Sequence, residues 1–521
     1  MRIGTWLKTF RIPGLLLATL AVAGACQQPA ELSVQRPRPG VATAPYPTTP
    51  PYVATAPATD VYLRAETFII PPNAFDNPTA ITMWGFVITD SSFTPLPGYG
   101  PQVPGPALMA TEGSTLTLHV RNNLRGPYTE PVSLIIPGQV TPLNPVWFDP
   151  AAGTVTSGAR NANDYRSRVR SFNQETPADN LTVRHYSFPN LRAGTYLYHS
   201  GTHPAVQMQM GLYGSLRVYP AGVANQAYGD PLSSFTSETT LVFSEIDPDF
   251  HAAIEQGHYG PVPNPNVPDW RTSAINYHPA FFLINGRPYT VDSPPLKGAA
   301  ANGKFLIRFL NAGLQTKAPV VQGPTNVNSN IVLTGGAYMQ IIAEDGNFIS
   351  VTSPTGVTTA APRNQYSVLL PAGKTTDAII NTPAAPPGDL VLHDRRLNLT
   401  NAGTRPGGML AYLPVTGVPN STQVLQSSLT SLTFSSATRT RTVNILNNGL
   451  ATRGIASVQM LGANPSMFSV SPQTAFSLTA GTLQTLTVTF TPTSTGTKTA
   501  TLQLTTNDPA TPFINVSLSG T

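Results

Sequence analysis

The sequence predicts an all-β chain of about three domains, and three features carry that prediction. Gly and Pro number 42 and 53 among 521 residues, charged residues make up only 11%, and Thr, Ser and Val are frequent; short strands joined by many turns have this composition. No segment carries a long apolar run at the i, i+3, i+4, i+7 spacing of an amphipathic helix. The length exceeds what one core holds and suits about three domains of ordinary size.

The N-terminus stands apart from the fold. Arg2, Lys8 and Arg11 precede the apolar stretch Leu15 to Val22, which ends in Ala23-Gly24-Ala25. Residues 1–25 therefore read as a secretory signal, with an apolar part too short to span a bilayer. Cys26 is the chain's only cysteine, and VAGAC resembles a bacterial lipobox, whose cysteine is diacylated and becomes the mature N-terminus. The alternative is an ordinary signal peptide with a chance cysteine. Lipidation at Cys26 would make the membrane a partner through an N-terminal anchor. Gln27 rather than Asp after it points to the outer membrane of a Gram-negative cell envelope. Residues 26–60, rich in Pro, Ala and Thr, cannot build a core and read as an extended tether. The net charge is +5 and the isoelectric point about 9.2, but the bases are scattered singly, and no basic patch interleaved with aromatics marks a nucleic-acid partner.

Residues 61–220 form the first expected domain. ITMWGFVI, STLTLHVRNNL, PVSLIIPG, TYLYHS and GLYGSLRVYP are strand-like and bounded by Gly, Pro or Asn, the pattern of a Greek-key sandwich or barrel. VPGPALMATEGSTLTLHVRNNL (103–124) and GTYLYHSGTHPAVQMQMGLYGSLRV (194–218) resemble the first cupredoxin domain of multicopper oxidases. Residues 235–415 repeat the theme: FFLINGRPYTVDSPPL, GKFLIRFLNAGL, MQIIAEDGNFI and YSVLLPAGKTTDAIIN follow the order of that family's second cupredoxin domain. The resemblance covers roughly 61–415. In residues 424–521, Thr and Val alternate with apolar residues and NDP marks a turn before a final strand, as in an immunoglobulin-like sandwich. That segment resembles the Hydin-like or choice-of-anchor-D modules of bacterial surface proteins, which implies an adhesive or spacer role and leaves open a cell-surface partner. The predicted fold is thus two cupredoxin-like Greek-key domains followed by an immunoglobulin-like β-sandwich.

The resemblance implies copper, and the residues limit it. A type 1 site in this family needs a thiolate, and Cys26 lies far from any cupredoxin core. The family's trinuclear cluster needs paired His-x-His motifs, yet the chain's eight histidines (His119, His185, His199, His203, His251, His258, His278 and His393) include no two that are two residues apart. Where the family's first domain carries His-x-His-Gly, this chain has Ser133-Leu-Ile-Ile-Pro137-Gly138-Gln139. Where His-Ser-His follows Gly-Thr-Tyr, it has His199-Ser200-Gly201-Thr202-His203. The immunoglobulin-like module stands in place of the third cupredoxin domain. Ligand count alone excludes an oxygen-reducing laccase unless a partner chain supplies most of the site.

A single copper ion remains to be weighed. His199 ends the strand YLYH, His203 lies across a Gly-Thr turn with its imidazole free to aim toward the second cupredoxin domain, and Met208 and Met210, two apart on an expected strand, would point their thioethers one way. Imidazole with thioether suits Cu(I) or Cu(II). The alternative is that the methionines fill the core and the histidines are hydrogen-bonded loop residues. His251, Glu255 and His258 would share one helical face at a spacing that can hold zinc, or form a short linker helix with a polar outer face. His393 falls where a copper-bearing relative would carry ligands, or joins Asp394, Arg395 and Arg396 in a surface ion-pair network. His119 reads as an outward or satisfied histidine and His278 as part of a turn. No phosphate-binding Gly-Lys-Ser/Thr loop, Gly-x-Ser-x-Gly elbow or His-Glu-x-x-His helix occurs. Three readings follow: a multicopper-oxidase-like envelope lipoprotein that holds one copper with oxidase chemistry lost or reduced, an oxidoreductase working at that one copper, and a metal-free surface scaffold. Cupredoxin trimers form active sites between subunits, so a homo-oligomer also stays open.

Overall fold

The computed structural model describes residues 52–521 apart from short internal stretches, the longest being 323–338. The signal segment, Cys26 and most of the tether lie outside the described residues. Among the described residues the regular secondary structure is nearly all strand, and no helix is long and apolar enough to cross a membrane.

The first domain faces a four-stranded sheet with a three-stranded one. The former runs in the order Ile81–Thr89, Asp60–Ile70, Leu116–Asn123, Val183–Phe188, with the central pair parallel. The latter is Leu108–Thr111, Tyr213–Tyr219, Gly194–His199. In LTLHVRNN every second residue is buried, so Leu116, Leu118 and Val120 enter the core while Thr117, His119 and Arg121 line the outer face.

The second domain repeats the device. Its main sheet pairs Ser237–Ile246 in parallel with Lys304–Asn311, adds Phe281–Ile284 on one side, and adds Thr375–Asn381 and Met339–Glu344 on the other. Parallel central strands cannot be joined by a tight hairpin, so each domain carries the long crossover of a Greek key. The facing sheet contains Pro319–Gln322, Gly388–Asp394 and Leu410–Thr416.

Two strands of the first domain, Ile81–Thr89 and Gly194–His199, are buried along their whole length, because each is covered on both faces. Tyr196 and Tyr198 enter the first core. Met83 and Leu197 enter a second cluster shared with Val242, Ile246, Phe281, Leu283 and Leu310 of the second domain. At this junction the fully buried Arg308 guanidinium lies 2.9 Å from Glu238, 3.2 Å from Asp377 and 2.7 Å from Thr195 Oγ1, and Arg217 meets Glu238 at 3.0 Å. Burial opposes the charge on Glu238, but Arg308 and Arg217 outweigh it and hold its carboxyl at about 2.

The C-terminal sandwich packs the sheet Leu425–Ser427, Thr440–Asn447, Leu483–Phe490, Phe468–Ser471 on a second sheet that includes Phe513–Gly520 and Lys498–Thr506. Phe468 stacks on Phe490 in its core, and Phe434 meets Phe468 edge-on.

Candidate functional site

The expected strand beyond His203 is an α-helix, Pro204–Met210. Pro204 occupies the first turn, where its fixed φ suits a helix and no amide is wasted. Gly211 closes the helix at φ 121°, and a Cβ there would lie 2.2 Å from the Trp84 carbonyl oxygen. Residues two apart on a helix differ by about 200° in direction, so Met208 and Met210 diverge. Met208 joins the cluster between the domains and Met210 the first core. The shared thioether face expected from strand geometry is not formed.

His199 ends its strand as expected and is buried. Its Nδ1 lies 2.9 Å from the Ser200 carbonyl oxygen, and burial pushes its pKa down, so the ring is neutral with its proton on Nδ1. Its backbone is zipped to Ile135: each amide donates to the other's carbonyl at 3.0 Å. Gly201 presses against the same segment, and a Cβ there would come within 2.9 Å of Ser133 Oγ and 3.0 Å of Ile135 Cγ2. Buried hydroxyls complete the closure, with Ser171 Oγ donating to Ser133 Oγ at 2.9 Å and Thr202 Oγ1 to Ser171 Oγ at 3.0 Å.

His203 is neither loose nor directed at the second domain. Its amide donates to the Arg170 carbonyl at 3.0 Å, and its carbonyl accepts from Val206 and Gln207. Its φ of 37° is left-handed, a strained conformation for a non-glycine residue that the surroundings enforce. Its Nδ1 lies 2.8 and 2.9 Å from the two carboxylate oxygens of Glu130, and Gln207 Nε2 donates to the same carboxylate at 3.2 Å. Glu130, 73 residues upstream, carried no signal in sequence.

The other candidates also separate. His251 lies on a helix, Pro248–Glu255, capped by Asp247, but not on a polar outer face. Its side chain is buried with Nδ1 2.7 Å from the Thr82 carbonyl, and Phe250 and Ile254 beside it enter the first core. Glu255 is exposed, and His258 lies beyond the helix end, so the three share no face. His393 sits half-buried in Gly388–Asp394 opposite Val320. The expected surface network around it is replaced by a fully buried Asp394, which accepts from the Ala318 amide at 2.9 Å and Asn398 Nδ2 at 2.7 Å.

These observations test copper against the residues. Met208 and Met210 enter different clusters, and the Nδ1 of each histidine is taken, by a backbone carbonyl at His199 and by Glu130 at His203. His199, His203, Met208 and Met210 therefore do not form the joint imidazole-and-thioether set expected for one copper ion. Among the described residues no three His, Cys, Asp or Glu side chains gather where a metal could sit.

The fold defines a class: two cupredoxin-like Greek-key domains followed by an immunoglobulin-like sandwich. Comparison with known proteins adds particulars. Residues 425–513 match the ASH family, described as abnormal spindle-like microcephaly-associated, ASPM-SPD-2-Hydin. About two thirds of the chain is similar in structure to a blue copper oxidase from Nitrosomonas europaea, at 18% identity over 68% of this chain and 85% of that one, with a TM-score of 0.43. It is similar to the multicopper oxidase mgLAC at 18% identity over 69% and 87%, TM-score 0.43, and to a copper nitrite reductase from Nitrosomonas europaea at 17% over 68% and 93%, TM-score 0.40. No curated protein matches the sequence.

Proposed function

We propose that this chain is a cell-envelope lipoprotein in which a multicopper-oxidase-like pair of cupredoxin domains serves as a rigid scaffold, with oxidase chemistry lost, and the immunoglobulin-like module presents a surface to a partner at the cell exterior. The reciprocal backbone pairing of Ile135 and His199 carries this reading, because it closes with main-chain hydrogen bonds the place where the family's first domain brings its His-x-His segments together. The absence of a core thiolate and of any His-x-His pair in the sequence supports it from the chemistry. The lipid anchor rests on VAGAC, and its assignment to the outer membrane on Gln27.

Oxygen uptake tests the reading. Copper-loaded protein, supplied with phenolic or cuprous substrates, is expected to consume no oxygen beyond free copper. Uptake that disappears on changing His199 or His203 to Gln would overturn it and restore the one-copper oxidoreductase.

A further inference from the structure

The outer face of the first domain's four-stranded sheet holds two histidines that sequence separates by 66 residues. His119 and His185 are directly opposite on adjacent antiparallel strands, and their Nδ1 atoms lie 2.6 Å apart. The rings are nearly perpendicular, with centroids 4.8 Å apart. On its other side, His119 Nε2 lies 2.9 Å from Asp60 Oδ1, and the ring stacks on Tyr62 at 4.4 Å. His185 is exposed.

The tautomer follows. A carboxylate accepts and cannot donate, so His119 carries its proton on Nε2 and turns the lone pair of Nδ1 toward His185. A metal-ligating histidine characteristically has this arrangement, one nitrogen facing the ion and the other donating to a carboxylate that fixes ring and tautomer.

We propose that His119 and His185 form a two-imidazole site for a borderline divalent cation such as Zn2+, Ni2+ or Cu2+, with Asp60 and Tyr62 as positioning residues. Metal–nitrogen bonds of about 2.0–2.1 Å set two tetrahedral ligand nitrogens about 3.3 Å apart, so an ion is admitted once the exposed His185 ring swings outward by about 0.7 Å. Two protein ligands leave the remaining positions to water or to a ligand from outside, so the site is open and exchangeable, unlike a closed structural zinc. Imidazole nitrogens suit these ions and not Mg2+ or Ca2+. The site is independent of the scaffold reading, since it lies on the outer sheet face and uses neither His199 nor His203.

Calorimetric titration of the full mature chain with Zn2+ tests the proposal. One equivalent is expected to bind, and His185→Ala should abolish that event; because His185 is exposed, its removal leaves the fold intact, as circular dichroism would verify. Asp60→Asn should weaken binding by about 10- to 100-fold, the usual effect of losing such an orienting partner, and the His199→Gln/His203→Gln variant should bind as the wild type does. No binding to the wild type, or the same binding to folded His185→Ala, would overturn the proposal.

Discussion

Ile135 and His199 exchange both of their backbone hydrogen bonds, each 3.0 Å long, across two segments that the sequence places 64 positions apart. The pairing seats Ile135 against the HSGTH turn, beside the buried hydroxyls of Ser133, Ser171 and Thr202. The stability of the two cupredoxin-like domains rests on their buried sheets and on the junction between them.

That junction gives the first prediction. Arg308 is fully buried between Glu238 and Asp377. Changing Arg308 to Met leaves the buried Asp377 without its cation and Glu238 with Arg217 alone, and should cost about 3–5 kcal/mol, measured by urea unfolding. A loss below about 1 kcal/mol would show that water reaches the cluster.

His203 should contribute more than an exposed loop residue. His203→Ala removes one partner of Glu130 and keeps the left-handed backbone, so a loss of about 1 kcal/mol is expected in the same assay. His203→Asn should lose less, because Asn tolerates the left-handed region better. Equal stability of all three proteins would contradict the role assigned to the Glu130 contact.

Stability should depend on pH through buried histidines. His199 and His251 are both held below the ordinary histidine pKa, in each case chiefly by burial. The unfolded chain takes up protons near pH ~6.5 while the folded one does not, so stability is full above that pH and declines as pH falls from there toward the lowered folded values. Urea midpoints at pH 7.5 and 5 should show the decline, and His199→Gln/His251→Gln should flatten it. An unchanged slope in the double variant would assign the pH dependence elsewhere.

Cys26→Ser should release soluble protein in place of detergent-phase lipoprotein, since one signal peptide without acyl chains gives no durable anchor. Continued membrane association would remove the anchor from the account.

The sequence made the fold legible because burial follows period two in segments such as LTLHVRNN, and because Gly, Pro and Asn punctuate each strand. Strands covered on both faces were less plain, since GTYLYH is buried throughout although Thr and His interrupt its apolar residues. The site was less legible. Met208 and Met210 mimic strand alternation within a helix of seven residues, and the informative residue was Pro204 at its first turn. The partners of the histidines are long-range: Glu130 reaches His203 and Thr82 reaches His251 across 73 and 169 positions. The facing of His119 and His185 depends on strand register, which no local pattern encodes.

The central claim is that main-chain pairing and the Glu130 contact replace copper at His199 and His203. Copper stoichiometry after equilibrium loading, compared between wild type and a folded His199→Gln/His203→Gln variant, tests it most directly. Identical stoichiometry is predicted, with no intense absorption at about 600 nm in either protein because no thiolate reaches a metal. Loss of one copper equivalent from the double variant, with its fold intact, would contradict the account.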